Sequence, residues 1–302
     1  MPRIRAPFYK RHPIPDEELL ETASKELYDA SQMKSLSHEE KAFLRNYKSS
    51  GFSDTNLMLR TGQYPLVSLD DLMDDLAKKM VSKKGCSRVK SKQPVRVQEH
   101  EYKQCIKDAY LDRANETITY VNGMDDIFAK LRRSAIPYCL YRGVGRYDGK
   151  HKVGDVVKFP EYLSTTLDTK VAWGYNYTNE HGALFVFRVK KGHVPWILLT
   201  YSMLAMDNNI QEYEVLFQRD SQWRVVRSYK TALHPYEATV LQLVAITPEE
   251  AVANTHKNPI QVYELESLPY NAPPAIAPIE HIPTMLTVMP YELAYYKAQD
   301  GA

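Results

Sequence analysis

Residues 137–166, PYCLYRGVGRYDGKHKVGDVVKFPEYLSTT, mark the point where the texture of the chain changes. Upstream, apolar residues recur at helical spacing. From Pro137 they come in short runs rich in Val, Phe, Tyr and Thr, broken by Gly and Pro, as strands do. Tyr138–Arg142, Val153–Phe159 and Tyr162–Thr166 read as strands, and Ala183–Val189, Ile197–Tyr201, Tyr213–Gln218, Trp223–Val226 and Thr239–Ile246 continue the series. Helices first and strands second predict an α+β fold rather than a doubly wound parallel sheet.

The helical half starts with Asp16–Gln32, where Leu19, Leu20, Ala23, Leu27 and Ala30 fall near one face. Ser37-His38-Glu39-Glu40 is a capping box that opens a helix over Glu39–Tyr47, with Gly51 as its stop. Ser53 caps a short helix carrying Asn56, Leu57, Leu59 and Arg60, and Leu66–Met80 and Val121–Arg133 complete the set. Between them, Lys78–Arg96 holds eight Lys and Arg residues and no acid, with Gly85 and Pro94 against a long helix. It reads as a solvated loop, or as a patch for an acidic or nucleic-acid partner. Beyond Ile246 eight of the eighteen prolines gather, which predicts an extended arm whose apolar residues pack against something.

At 302 residues, with 44% hydrophobic and 25% charged, the chain has material for one large domain with extensions. The balance of 39 basic to 37 acidic residues argues against a protein dominated by nucleic-acid binding. Cys86, Cys105 and Cys139 lack metal-ligand spacing and read as reduced thiols, so no metal is expected. The first residues have no apolar core of a secretory signal, and no stretch reaches membrane-spanning length, so a cytoplasmic protein with no membrane partner is expected.

Three stretches carry chemistry. Glu212 and Glu214, two apart on a strand, share a face with Cα atoms roughly 6–7 Å apart, close enough to raise the pKa of one. A glycosidase sets its carboxylates on opposite sides of the bond it cuts; a same-face pair suits one acid at a developing cation and one at an incoming acceptor. Arg142 ends an apolar strand beside Gly143 and can grip a pyrophosphate through two parallel hydrogen bonds, while glycine lets a ligand approach the backbone. Gly143-Val144-Gly145 is no dinucleotide fingerprint, because a strand follows it rather than a helix. The Ser164-Thr165-Thr166 hydroxyls can donate to a carboxylate and hold its rotamer.

Together, Tyr141-Arg142-Gly143, Tyr162-Leu163-Ser164-Thr165-Thr166 and Gln211-Glu212-Tyr213-Glu214-Val215-Leu216 resemble, in order and flavour, the Arg-Ser-Glu class of mono-ADP-ribosyltransferases. Leu36-Ser37 through Tyr47, then Asn56-Leu57-Met58-Leu59-Arg60, is similar to the helical part of that family, so the resemblance covers 36–246. It implies two packed, mostly antiparallel sheets around an NAD cleft. It further implies that Arg142 holds the NAD phosphates, Gly143 the nicotinamide carboxamide through its backbone, and Ser164 the catalytic acid. Ser164 and Thr165 would line the cofactor site, Glu214 would bind the nicotinamide ribose and stabilise its cation, and Glu212 would prepare the acceptor. An aromatic over the nicotinamide is assigned to Tyr175, with Trp173 and Tyr177 as alternatives. Thr166 stands where many members have serine, and Val194–Gln211 lacks their turn signal.

The expected organisation is an extension over 1–35, a transferase domain over 36–246 (helical 36–135 with the basic loop 78–96, β core 137–246) and a proline-rich arm over 247–302. The expected activity is transfer of ADP-ribose from NAD to arginine of a target protein, by analogy as a toxin, effector or bacteriophage factor. The alternatives are modification of nucleic acid, or of a protein bound to it, through the basic loop, and an NAD-pocket scaffold without turnover.

Overall fold

The computed structural model describes residues 17–30, 33–61, 99–145, 147, 149–174, 182–199, 212–231 and 260–279. They belong to two compact units, Met1–Arg60 with Met124–Pro274, and Thr61–Gly123 with Ala275–Ala302. The basic loop, the expected helix Leu66–Met80, the expected strand Thr239–Ile246 and Tyr175 lie outside the described residues.

Helix α1 (Glu17–Ala30) sets Ala23 and Leu27 in the core of the first unit, with Leu20 and Ala30 beside them, as the helical spacing predicted. Helix α2 (His38–Asn46) opens with the predicted capping box: the Glu40 amide donates to Ser37 Oγ at 3.1 Å and the Ser37 amide to Glu40 Oε2 at 2.7 Å. The expected stop at Gly51 does not occur. A π turn over Tyr47–Gly51 carries the chain straight into α3 (Phe52–Thr61), a wider turn that absorbs residues without unwinding the helix.

Helix α4 (Glu99–Ala129) begins well before the expected Val121. Charged residues are interleaved through 99–120, so no apolar stripe stands out there. In the second unit, Asn115 and Asn122 each clamp a tail residue by two hydrogen bonds, Asn115 to the backbone of Ile279 and Asn122 to that of Ile276. Seven helical residues span about 10.5 Å and three extended ones about 9 Å, so the two spacings match.

Among the described residues the strands are β1 (Ile136–Val144), β2 (Val156–Phe159), β3 (Leu163–Thr166), β4 (Ala183–Val189), β5 (Trp196–Leu199), β6 (Glu214–Phe217), β7 (Ser221–Thr231) and β8 (Ile260–Ser267). Short helix α5 (Thr169–Gly174) follows β3. The fold is α+β, and one eight-stranded sheet runs β2-β7-β8-β4-β1-β3-β6-β5. All neighbours are antiparallel except β4 and β8.

The two packed sheets expected are two limbs of one continuous hydrogen-bonded order with a narrow join. Strand β1 meets β3 only at Tyr141↔Thr166. The limbs on either side share a core, since Trp223 of β7 packs edge-on to Phe187 of β4 at 4.8 Å and to Phe217 of β6 at 5.1 Å. Strands far apart in the hydrogen-bonded order therefore touch through their side chains, and the sheet curls over its own core.

Strand β8 corrects the expectation of an arm beyond Ile246, because it sits inside the sheet between β7 and β4. Its prolines flank the strand at Pro259 and Pro269 rather than interrupt it, so every ladder amide is available. Strand β4 is buried on both faces, with Phe185 and Phe187 in the main core and Leu184 and Val186 in a second cluster.

Candidate active site

The order β1-β3-β6 puts the three chemical stretches side by side. Thr166 lies opposite Glu214, and Ser164, two residues earlier, shares its face. Ser164 Oγ consequently donates to Glu214 Oε1 at 2.5 Å. Thr165 points the other way and donates to the Val215 carbonyl at 2.8 Å. Thr166 Oγ1 donates to the Glu212 carbonyl at 2.5 Å and accepts the Asp168 amide at 2.9 Å, tying both strand ends together.

Strand β6 starts at Glu214 rather than at the expected Tyr213. Tyr213 has φ of 44°, a left-handed conformation that breaks the ladder for a residue with a side chain. Glu212 thus precedes the strand. Its carboxylate still converges with that of Glu214, because both reach one ammonium: Lys48 Nζ donates to Glu214 Oε2 at 2.6 Å and to Glu212 Oε2 at 2.9 Å.

Lys48 comes from the π turn, and its side chain is 3% exposed. Burial works against its charge, but the charges of Glu214 and Glu212 and their hydrogen bonds outweigh that cost and raise its pKa above the ordinary 10.5. Tyr47 beside it packs edge-on against Tyr162 at 5.8 Å and accepts a hydrogen bond from Asn56 Nδ2 at 3.1 Å. Asn56 Oδ1 is buried in the cleft wall and has no hydrogen-bond partner among the described residues.

Arg142 reaches across from β1, its Nη1 donating to the Ser164 carbonyl at 2.7 Å. Its Nη2 lies 3.7 Å from Glu161 Oε1, which Arg60 Nε approaches at 3.3 Å. One buried carboxylate thereby holds two guanidiniums at the same wall. Burial draws the Arg142 pKa below its ordinary value, against the pull of Glu161.

Tyr47, Lys48, Asn56, Arg60, Val171 and Ala172 help to line a cleft of about 370 Å³, the size of a small-ligand pocket. Chemically it offers a carboxylate with one oxygen fixed by a hydroxyl, a second carboxylate beside it, and guanidiniums suited to phosphate oxygens. Arg142, Gly143, Ser164, Thr165, Glu212 and Glu214 all line it. Lys48 was not foreseen, and Asn56 and Arg60 were read only as helix texture. Their four-residue spacing, one helical turn, was the available signal for the latter two.

Among the described residues there is no cluster of His, Cys, Asp and Glu able to hold a metal, and no helix is long and apolar enough to cross a membrane.

No protein-family model and no curated protein matches the chain. Solved structures similar to it include Vis toxin, an ADP-ribosyltransferase from Vibrio splendidus, at 15% identity and a TM-score of 0.47, covering 85% of this chain and 88% of that one. Another is Plx2a, an ADP-ribosyltransferase toxin from Paenibacillus larvae, at 14% identity and 0.46, with 84% and 98% covered. A third is C3stau2 from S. aureus, solved with NAD, at 10% identity and 0.43, with 87% and 100% covered.

Proposed function

We propose that this chain is an NAD-dependent mono-ADP-ribosyltransferase acting on arginine side chains of a protein. One observation carries the reading: the Arg142, Ser164 and Glu214 motifs, together with Glu212, meet in a single cleft. The family resemblance of the ordered motifs agrees with it.

In the proposed reaction Arg142 and Arg60 grip the pyrophosphate and the Gly143 backbone meets the nicotinamide carboxamide. The bond from ribose C1′ to the nicotinamide nitrogen breaks, nicotinamide leaves neutral, and positive charge grows on the ribose. Glu214, oriented by Ser164, stabilises that charge, the electrostatic effect that dominates in sites of this kind. A guanidinium nitrogen of the acceptor attacks C1′ and gives up a proton to Glu212. Water in the acceptor's place yields free ADP-ribose.

The test is incubation with NAD labelled in its ADP-ribose part and a mixed protein lysate. Nicotinamide release and label on arginine side chains are expected. Intact NAD and unlabelled protein would refute the proposal, and label on another side chain or on nucleic acid would refute its acceptor.

A further inference from the structure

We propose that Lys48 is the acceptor-selectivity residue of this cleft: its ammonium occupies the place of the acceptor's cation between Glu212 and Glu214, and an acceptor guanidinium must displace it. The inference rests on the transferase reading above and deepens it.

The ammonium is built into the site rather than resting on its surface. It contacts both carboxylates at 2.6 and 2.9 Å, and its side chain is 3% exposed. Glu214 then has both oxygens engaged, Oε1 by Ser164 and Oε2 by Lys48. A guanidinium approaching these acids would bring the same assets, a positive charge and N–H donors. The ammonium already fills the position between the two acids that such a guanidinium would take, so the two cannot occupy it together. Arg142 and Arg60 add to the local positive charge, and Glu161 offsets theirs rather than that of Lys48.

The displacement needs no movement of the backbone. Tyr47 is anchored by Tyr162 and Asn56, which holds the π turn, while the four-carbon stem of Lys48 lets its ammonium withdraw. A small free guanidine has only its own contacts with which to expel the ammonium. An arginine on a protein surface brings the remaining interface as well. The site therefore favours protein-borne arginine over small guanidinium compounds.

The experiment compares wild type, Lys48→Met and Lys48→Arg with NAD and agmatine as the small guanidinium probe, measuring ADP-ribosyl-agmatine and nicotinamide together. The KM for agmatine is expected to fall at least tenfold in Lys48→Met and to stay within about threefold of wild type in Lys48→Arg, which keeps the cation. An agmatine KM that is unchanged or raised in Lys48→Met overturns the inference. Should Lys48→Met fail to fold, reductive methylation of wild type followed by mass spectrometry decides. Labelling of Lys48 is expected to rise severalfold under saturating methylguanidine, which has no primary amine to consume the reagent, and unchanged or lower labelling overturns the inference. Wild type that releases no nicotinamide with any acceptor removes the transferase reading itself and this inference with it. An active wild type with an unmoved KM removes the inference alone.

Discussion

Glu214 is held from two sides, by the Ser164 hydroxyl on one oxygen and the Lys48 ammonium on the other. Glu214→Gln keeps the shape but loses the charge, so nicotinamide release should fall by about 10²–10³-fold while NAD affinity, read by calorimetry, moves only a few-fold. Arg142→Lys keeps the charge but loses the planar fork, and NAD affinity should weaken by roughly tenfold or more in the same titration. Lys48 has a second consequence, for stability. Its folded pKa lies above the ordinary 10.5, so its contribution is fully present below that value and disappears as pH rises past it. Urea midpoints followed into strongly alkaline solution should therefore fall more steeply for wild type than for Lys48→Met, and parallel curves would disprove this. The acids, the serine and the arginine were legible because strand period and motif order are local properties. Lys48 was not, since it lies 164 positions before Glu212 and meets it only through the fold.

Helix α2 is the element that delivers Tyr47 and Lys48 to the cleft, and its start depends on Ser37. Ser37→Ala removes the capping hydrogen bond and should cost about 1 kcal/mol in denaturant unfolding. A second element-level device is Asp125 near the end of α4, which accepts hydrogen bonds from Arg219 at 2.7 Å and from Tyr162 at 2.8 Å. Arg219 is buried, and Asp125→Ala leaves it only the longer pair with Asp220 at 3.4 Å and the Pro274 carbonyl, so the change should destabilise by about 2–3 kcal/mol. Urea unfolding checks both, and losses of similar size would contradict the contrast. Element legibility followed the strength of local pattern. Strand β4 matched its expected bounds Ala183–Val189 because its apolar run is continuous. Strand β7 runs from Ser221 to Thr231, far beyond the expected Trp223–Val226, because its second half alternates polar residues that pair with β8. The π turn could not be read at all, since Gly51 carries the same local signal whether a helix stops or widens there.

At the scale of the molecule, the curled sheet brings the cleft residues together, and β8 occupies a central place in it. The α+β class was readable from the order of textures, whereas the position of β8 was not, because only the pairing of distant strands determines it. A chain ended at Pro259 lacks that strand and leaves β7 and β4 without their shared partner; it should lose near-ultraviolet dichroism and resistance to protease. Retained native signals would show that the sheet closes without β8. The most direct test of the account as a whole is nicotinamide release from NAD by the full chain, measured beside NAD binding for wild type and Glu214→Gln. The account predicts release by wild type, and for the variant near-complete loss of release with binding preserved. Equal release by both proteins, or no NAD binding by either, would contradict it.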